Sequence, residues 1–393
     1  MPRIHNDDDP LTAALHQKID NSITQPVVTP LYQNSAFTAD SPYFYTRLNN
    51  PNCEELEQVV ACFEEASHAI TVTTGMAAIS LASRLLAPGD HVVLNSLIYG
   101  CTYKFFQRLR KSLNLEITVL DLSQPASLQK IPADVRMIFF ETPTNPFLKS
   151  ISISAVAQRA KALNPSSLVV VDNTWATPVF QKPLQHGADI SLYSATKYFS
   201  GHSDVMGGVV VVDRQDLAEQ LRDERFYSGA ILDPHSAWLI RRSMQTFALR
   251  MQSHQQSTSV LASWLESRPQ ITRVYQPHVD GHQLTGYGGI LFCDLRQDLV
   301  ERYVDFSQAL RLFDTGTAMA CVTSMVAQPY SGSHASMSPE EKAEMGLGKG
   351  LIRLCFGLEN IDDLKRDIQN ALEKIDATQS ECRLPQEVSS VAE

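Results

Sequence analysis

The sequence Ser191-Leu-Tyr-Ser-Ala-Thr-Lys-Tyr-Phe-Ser-Gly-His-Ser-Asp204 carries the strongest chemical signal in the chain. The alternating apolar residues from Ala188 to Tyr193 predict a buried strand. The strand ends in the hydroxyls of Ser194 and Thr196, followed at once by Lys197. An ammonium is costly to bury, and a desolvated lysine gives up its proton readily. An uncharged amine at a strand end, beside hydroxyls that can hold a phosphate, is what Schiff-base chemistry with pyridoxal phosphate requires. The competing reading is a lysine that snorkels to solvent. The rest of the chain has to decide between them.

Composition bounds the answer. With 393 residues, 44% of them hydrophobic, the chain can bury a large core and is long enough for two domains. The formal net charge of −10, with no basic run, argues against a nucleic-acid partner. No apolar run reaches the length of a membrane span, and the start, Met1-Pro-Arg-Ile-His-Asn-Asp-Asp-Asp9, has no apolar signal core. Seven cysteines without framework or CxxC spacing fit reduced thiols in a cytoplasm, and no metal-ligand set is evident.

Strands and helices alternate along most of the chain. Apolar runs at Ala69–Thr73, His91–Asn95, Leu115–Leu120, Val135–Phe140, Ser167–Asp172 and Gly207–Asp213 predict strands, with helices between them. Such a pattern describes an α/β protein with a mostly parallel sheet covered on both faces. Ligands in such sheets sit beyond the carboxyl ends of the strands. Asn145, Asp172 and Lys197 all fall at such ends. A single long helix is expected over Pro234–Leu265, then an α/β unit that includes a strand at about Ala318–Met325.

Pyridoxal phosphate needs four kinds of partner, and each has a candidate. Lys197 offers the amine and Asp172 a carboxylate for the pyridine nitrogen. Gly75 and Met76, at a strand-to-helix turn, join Ser194 and Thr196 for the phosphate. Tyr99 offers a ring to stack. Singly, Asp172 reads equally well as a cap and Tyr99 as a core tyrosine. Tyr45 and Arg47 precede an Asn-Asn-Pro-Asn turn and can clamp a phosphate or lie on a solvated arm.

Together these segments are identified as resembling the cystathionine γ-lyase, cystathionine β-lyase and methionine γ-lyase family, pyridoxal phosphate enzymes of fold type I. The resemblance covers about residues 23–375. It rests on Tyr45-Thr-Arg47 with Asn50-Pro51, Thr74-Gly-Met76, Tyr99-Gly-Cys-Thr102, Glu141-Thr-Pro-Thr-Asn-Pro146, Val171-Asp-Asn-Thr174, Ser194-Ala-Thr-Lys-Tyr198 with Gly201-His-Ser-Asp204, and Gly350-Leu-Ile-Arg-Leu354 with Gly357-Leu-Glu359. It implies that Lys197 holds the cofactor and shuttles protons, that Tyr99 stacks on the ring and assists the leaving group, and that Asn145 contacts the ring hydroxyl. It also implies that Arg353 binds the substrate α-carboxylate. Tyr45 and Arg47 would reach a neighbouring subunit's cofactor in a homotetramer, a dimer of dimers with intersubunit sites. The implied organisation is an arm at 1–55, a large cofactor-binding domain at 56–250, a C-terminal domain at 251–375 and a polar tail at 376–393, expected to fray.

Departures from the family pattern bear on the substrate. Thr317-Ala-Met-Ala-Cys321 replaces a Ser-Leu-Gly-Gly-like segment. Thr317 is small, as in methionine γ-lyases, and Cys101 points the same way. Arg225-Phe226 stands where those enzymes have Lys-Asp, and the stretch 277–289 is short. Cys101 is either chemically active or a small cleft-lining residue. The expected activity is γ-elimination from an L-amino acid such as methionine, homocysteine, cystathionine or a non-sulfur γ-substituted analogue. The alternatives are γ-replacement (cystathionine γ-synthase or homoserine-ester sulfhydrylase type), a cystathionine β-lyase, an aminotransferase, and a cofactor-binding protein without catalysis.

Overall fold

The structure, a computed structural model, describes residues 9–19, 25–316, 318–335 and 337–382. Its larger sheet has seven strands: β1 (His68–Val72), β2 (His91–Asn95), β3 (Glu116–Leu120), β4 (Val135–Glu141), β5 (Leu168–Asp172), β6 (Ile190–Tyr193) and β7 (Gly208–Val212). Their order across the sheet is β1-β7-β6-β5-β4-β2-β3, and β7 alone runs against the others. The centre is built from Val169, Val170, Val171, Ile190 and Val209 to Val212, all fully buried. Branched side chains suit such a strand because they are stiff and fill the pleat on both faces. Helices cover both sides and form two apolar layers, one around Ile70, Leu94, Phe106 and Phe139, the other around Leu56, Phe63, Tyr193 and Phe247.

A second sheet of five strands packs beside the first, in the order β10-β11-β12-β9-β8: β8 (Ile271–Tyr275), β9 (Ile290–Leu295), β10 (Asp314–Thr315), β11 (Met325–Ala327) and β12 (Leu351–Cys355). The expected strand over Ala318–Met325 is replaced by a loop between β10 and β11. That loop is tied at several points. The Val322 N–H donates to Gly201 O at 2.9 Å, and the Ser324 N–H donates to Glu359 Oε1 at 2.6 Å. These bonds draw the loop away from a ladder and towards the Lys197 segment.

The long helix expected from Pro234 is two helices, Pro234–Met244 and Phe247–Glu266. The break has a cause. The Ser243 carbonyl accepts from the Thr246 N–H (3.2 Å) and from Arg250 Nη2 (3.0 Å), so it is turned out of the regular helical ladder. The final helix runs on past 375 to Cys382. Asp376 is held by Arg296 Nη2 (2.6 Å) and Gln270 Nε2 (3.0 Å), which fixes the start of that stretch.

Beneath the sheet lies a buried polar chain. The Tyr193 hydroxyl donates to Glu64 Oε2, and Asn173 Nδ2 donates to Tyr193 Oη (2.8 Å) and to Gln181 O (2.7 Å). This chain locks the helix Pro51–Glu64 to the strand that precedes Lys197. Burial pushes the Glu64 carboxyl up to about 8. The folded state therefore holds this proton more tightly than the unfolded chain does. Its contribution to stability is complete below about pH 4.5 and is lost as the pH rises towards 8. Across that window, wild-type stability is expected to fall relative to the Glu64→Gln variant by up to about 1.4 kcal/mol per pH unit. Denaturant unfolding of both proteins from pH 4.5 to 8.5 measures it, and parallel curves refute it.

Candidate active site

The carboxyl ends of β4, β5 and β6 open into a cleft of about 450 Å³. Lys197 stands at its centre, in the turn that follows β6. The Lys197 N–H donates to Ser194 O at 3.0 Å, and its carbonyl accepts from the Gly201 N–H at 2.7 Å. Arg250 is buried beneath this turn and donates through Nη1 to Tyr198 O at 2.8 Å. Burial, reinforced by the Arg353 guanidinium, pushes the Lys197 amine down from the ordinary ammonium range.

The phosphate side is built from the helix Gly75–Ser83. Thr74 caps it, its Oγ1 accepting from the Ala77 N–H at 3.0 Å. The first-turn N–H groups of Gly75 and Met76 are not consumed by the helix ladder. A Cβ placed on Gly75 would lie 2.8 Å from Ser194 Cβ, so glycine is needed for this close approach. Thr196 is held by the Gly207 N–H, which donates to Oγ1 at 3.1 Å.

On the floor, Asp172 Oδ1 accepts twice from Thr174, from the hydroxyl at 2.6 Å and from the N–H at 3.0 Å. Thr174 Oγ1 in turn accepts from the Ser194 N–H at 2.8 Å. One threonine thus couples the carboxylate to the phosphate-side strand end. Asn145 Oδ1 and Glu141 Oε2 are buried and have no protein partner. Tyr99 opens the helix Gly100–Ser112, its N–H donating to Glu141 Oε1 at 2.7 Å. Burial, a hydrogen bond with Cys101 and the Glu141 charge push the phenol up to about 12. It is therefore an O–H group at neutral pH.

Arg353, in β12, reaches the cleft from the second sheet and is 3% exposed. Its Nη2 donates to Ala318 O at 3.1 Å and its Nη1 meets Met319 Sδ at 3.4 Å. Gly332, Ser333 and Ala335 close the far wall.

The cleft brings together Gly75, Met76, Tyr99, Cys101, Asn145, Asp172, Ser194, Thr196, Lys197 and Arg353 of the residues picked out from sequence. Thr317 lies outside the described residues. Tyr45 and Arg47 do not line this chain's own cleft. The Arg47 guanidinium stacks 4.1 Å over the Phe226 ring and donates to Phe226 O at 3.0 Å. Arg225 is turned inward onto Glu57 Oε1 (2.6 Å) and donates to Leu48 O (3.2 Å). The Arg225-Phe226 pair therefore fastens this chain's arm. Glu141, Thr174 and Met319 also line the cleft and were missed from sequence. The signal for Glu141 was present, a carboxylate closing an apolar strand as Asp172 does.

This lining fits pyridoxal phosphate: a buried amine, a clamped carboxylate, orphaned buried acceptors and a glycine cradle at a helix start. Comparison with known proteins agrees. Residues 11–373 match the model of the family described as Cys/Met metabolism PLP-dependent enzyme. The chain belongs to that family. It is 37% identical over 366 residues to a cystathionine β-lyase of Coxiella burnetii, covering 89% of this chain and 94% of that one. It is also 37% identical to a cystathionine γ-lyase of Bacillus subtilis, covering 90% and 96%. A crystal structure of a cystathionine γ-synthase from Xanthomonas oryzae pv. oryzae superposes with a TM-score of 0.89 at 33% identity, covering 94% of this chain and 99% of that one. Three differently named enzymes stand at similar identity to this chain, so local geometry has to separate the reactions.

Thr174→Val is expected to keep the fold but release Asp172 and leave the Ser194 N–H without its acceptor. Losing buried hydrogen bonds costs about 1–3 kcal/mol. Cofactor titration should show weaker binding by tenfold or more together with a lower melting temperature. Unchanged affinity contradicts the coupling.

Proposed function

We propose that this protein is a pyridoxal phosphate-dependent γ-lyase acting on an L-amino acid with a short, weakly polar γ-substituent, such as methionine or homocysteine. The supporting observation is the lining of the substrate side. Arg353 stands ready for an α-carboxylate, and the remaining wall is Tyr99, Cys101, Met319, Gly332, Ser333 and Ala335. Among the described residues of that wall there is no carboxylate to receive the distal ammonium of cystathionine. Glu141 and Asp172 close the neighbouring strands β4 and β5 on the cleft floor, where Glu141 holds the Tyr99 N–H.

Lys197 would hold the cofactor, with Asp172 at the pyridine nitrogen and Asn145 at the ring hydroxyl. Gly75, Met76, Ser194 and Thr196 would hold the phosphate, and Tyr99 would stack on the ring. Bound there, pyridoxal phosphate supplies a carbonyl that captures the substrate amine and a ring that accepts the electrons of its Cα–H bond. The chain's own groups do the rest. Arg353 fixes the α-carboxylate by a two-pronged contact and so sets which bond faces Lys197. Lys197 Nζ, whose charged form burial disfavours, takes the α-proton, gives it up again and is then free to take a β-proton. The Tyr99 phenol, protonated at neutral pH, gives its proton to the departing γ-sulfur. Cys101 borders the γ-position in this scheme.

The oligomer is part of the proposal. Phe44 (77% exposed), Tyr227 (75%) and Met206 (64%) leave apolar surface in solvent around the arm and near a second, open depression of about 620 Å³ beside Lys197. A dimer of dimers covers this surface and brings a neighbour's Tyr45 and Arg47 to the phosphate. A cytoplasmic location suits the free cysteines, of which Cys53, Cys293, Cys321 and Cys355 are buried thiols. Among the described residues, no helix is long and apolar enough to cross a membrane.

Turnover of L-methionine to methanethiol, 2-oxobutanoate and ammonia, with kcat/KM at least tenfold above that for L-cystathionine, is the expected result. Pyruvate and homocysteine from cystathionine as the dominant products would establish β-elimination instead.

A further inference from the structure

The cleft floor holds two acids where a cofactor base needs one. Glu141 closes β4 and Asp172 closes β5, and the two residues are register partners on adjacent parallel strands. Side chains at paired positions of neighbouring strands project to the same face. Both carboxyls line the cleft, Glu141 buried and Asp172 half-buried. They are not equivalent. Asp172 Oδ1 receives two donors, a hydroxyl at 2.6 Å and an N–H at 3.0 Å, both from Thr174. Glu141 is met by main-chain donors and no hydroxyl, the Tyr99 N–H on Oε1 at 2.7 Å and the Asn145 N–H, and its Oε2 is left without a hydrogen bond. Donors directed at a carboxylate stabilise its charged form. Two ionised carboxylates at paired strand ends repel each other, which favours a proton on one of them.

We propose that Glu141 is the protonated member of this pair, a positioning residue that leaves the floor's single negative charge on Asp172 and anchors the Tyr99 backbone through its carbonyl oxygen. The proton turns Oε2 from an orphaned acceptor into a donor facing the cleft. The asymmetry then has a use. The charge that a protonated pyridine nitrogen needs is placed under it and does not spread to the side where Tyr99 must stay an acid. The electrostatics agree in direction. Burial, and next the Asp172 charge, push Glu141 well above the carboxylate range. Burial raises Asp172 as well, but both Thr174 bonds pull it back.

The other groups facing this pair come from four elements. Tyr99 and Cys101 lie at the start of the helix Gly100–Ser112, Lys197 follows β6, and Arg353 is in β12. His334 lies in the loop after β11 and is pushed down to about 4 by burial, so it is neutral across the useful range. The inference rests on membership of the cofactor family and not on the leaving group, so it survives failure of the γ-lyase assignment.

The test is the infrared difference spectrum of wild type minus Glu141→Gln, on the full-length protein with and without pyridoxal phosphate, in deuterated buffer near pH 7.5. The expected result is a protonated-carboxyl C=O band that is present in wild type and lost in the variant. In Asp172→Asn the same band should titrate away at lower pH, since the neighbouring charge that retains the proton is gone. Stability gives an independent reading. Relative to Glu141→Gln, the wild-type folding constant should drop by up to tenfold per pH unit above the unfolded value of 4.5. Absence of the band in wild type, or a stability difference that rises with pH, overturns the proposal. If Glu141→Gln does not fold, the Asp172→Asn titration still decides it: a band unaffected by that substitution means the two carboxyls do not share a charge.

Discussion

Burying the Lys197 amine is the constraint on which the rest of the structure depends. A charged lysine in this position would lose its hydration and face Arg353. The fold keeps the amine there by rigid support rather than by pairing it with a carboxylate. Its turn is fastened from below by Arg250, from behind by the Gly201 contact to Val322, and at its start by Ser194 and Thr196. The same bonds that immobilise Lys197 pull the loop before β11 into the cleft, and with it Met319 and the Arg353 contacts. Rigidity at the lysine and assembly of the substrate wall are therefore one event in packing.

Much of this was legible in the sequence because it follows from period and position. Continuous valine runs announce strands buried on both faces, and a carboxylate or lysine at the end of such a run falls at the ligand edge of the sheet. Asp172, Asn145, Lys197 and the Gly75 turn were accessible in that way. What was not legible depends on long-range contacts. Nothing local in Thr174 distinguishes a cap from a clamp that joins Asp172 to Ser194. The helix break after Met244 depends on Arg250 reaching back to the Ser243 carbonyl, while the apolar spacing of the segment is continuous. The stretch 318–324 is apolar enough for a strand but is drawn into a loop by Glu359 and Gly201.

The arm shows how two adjacent side chains can anchor a whole segment. Arg225 is spent inside the core on Glu57 and the Leu48 carbonyl, and Phe226 carries the Arg47 guanidinium on its ring. The pair fixes the arm at Arg47 and Leu48.

The central claim is that Lys197 moves two different protons, the second of which is required only for chemistry at Cγ. Proton NMR of the cofactor-loaded enzyme with L-norvaline in deuterated buffer tests it most directly, because this substrate has no group to lose. The account predicts exchange of the α-hydrogen and of β-hydrogen, with both abolished in Lys197→Ala. Exchange confined to the α-position, while the enzyme binds norvaline, would contradict γ-elimination and leave this site a β-lyase or a transaminase.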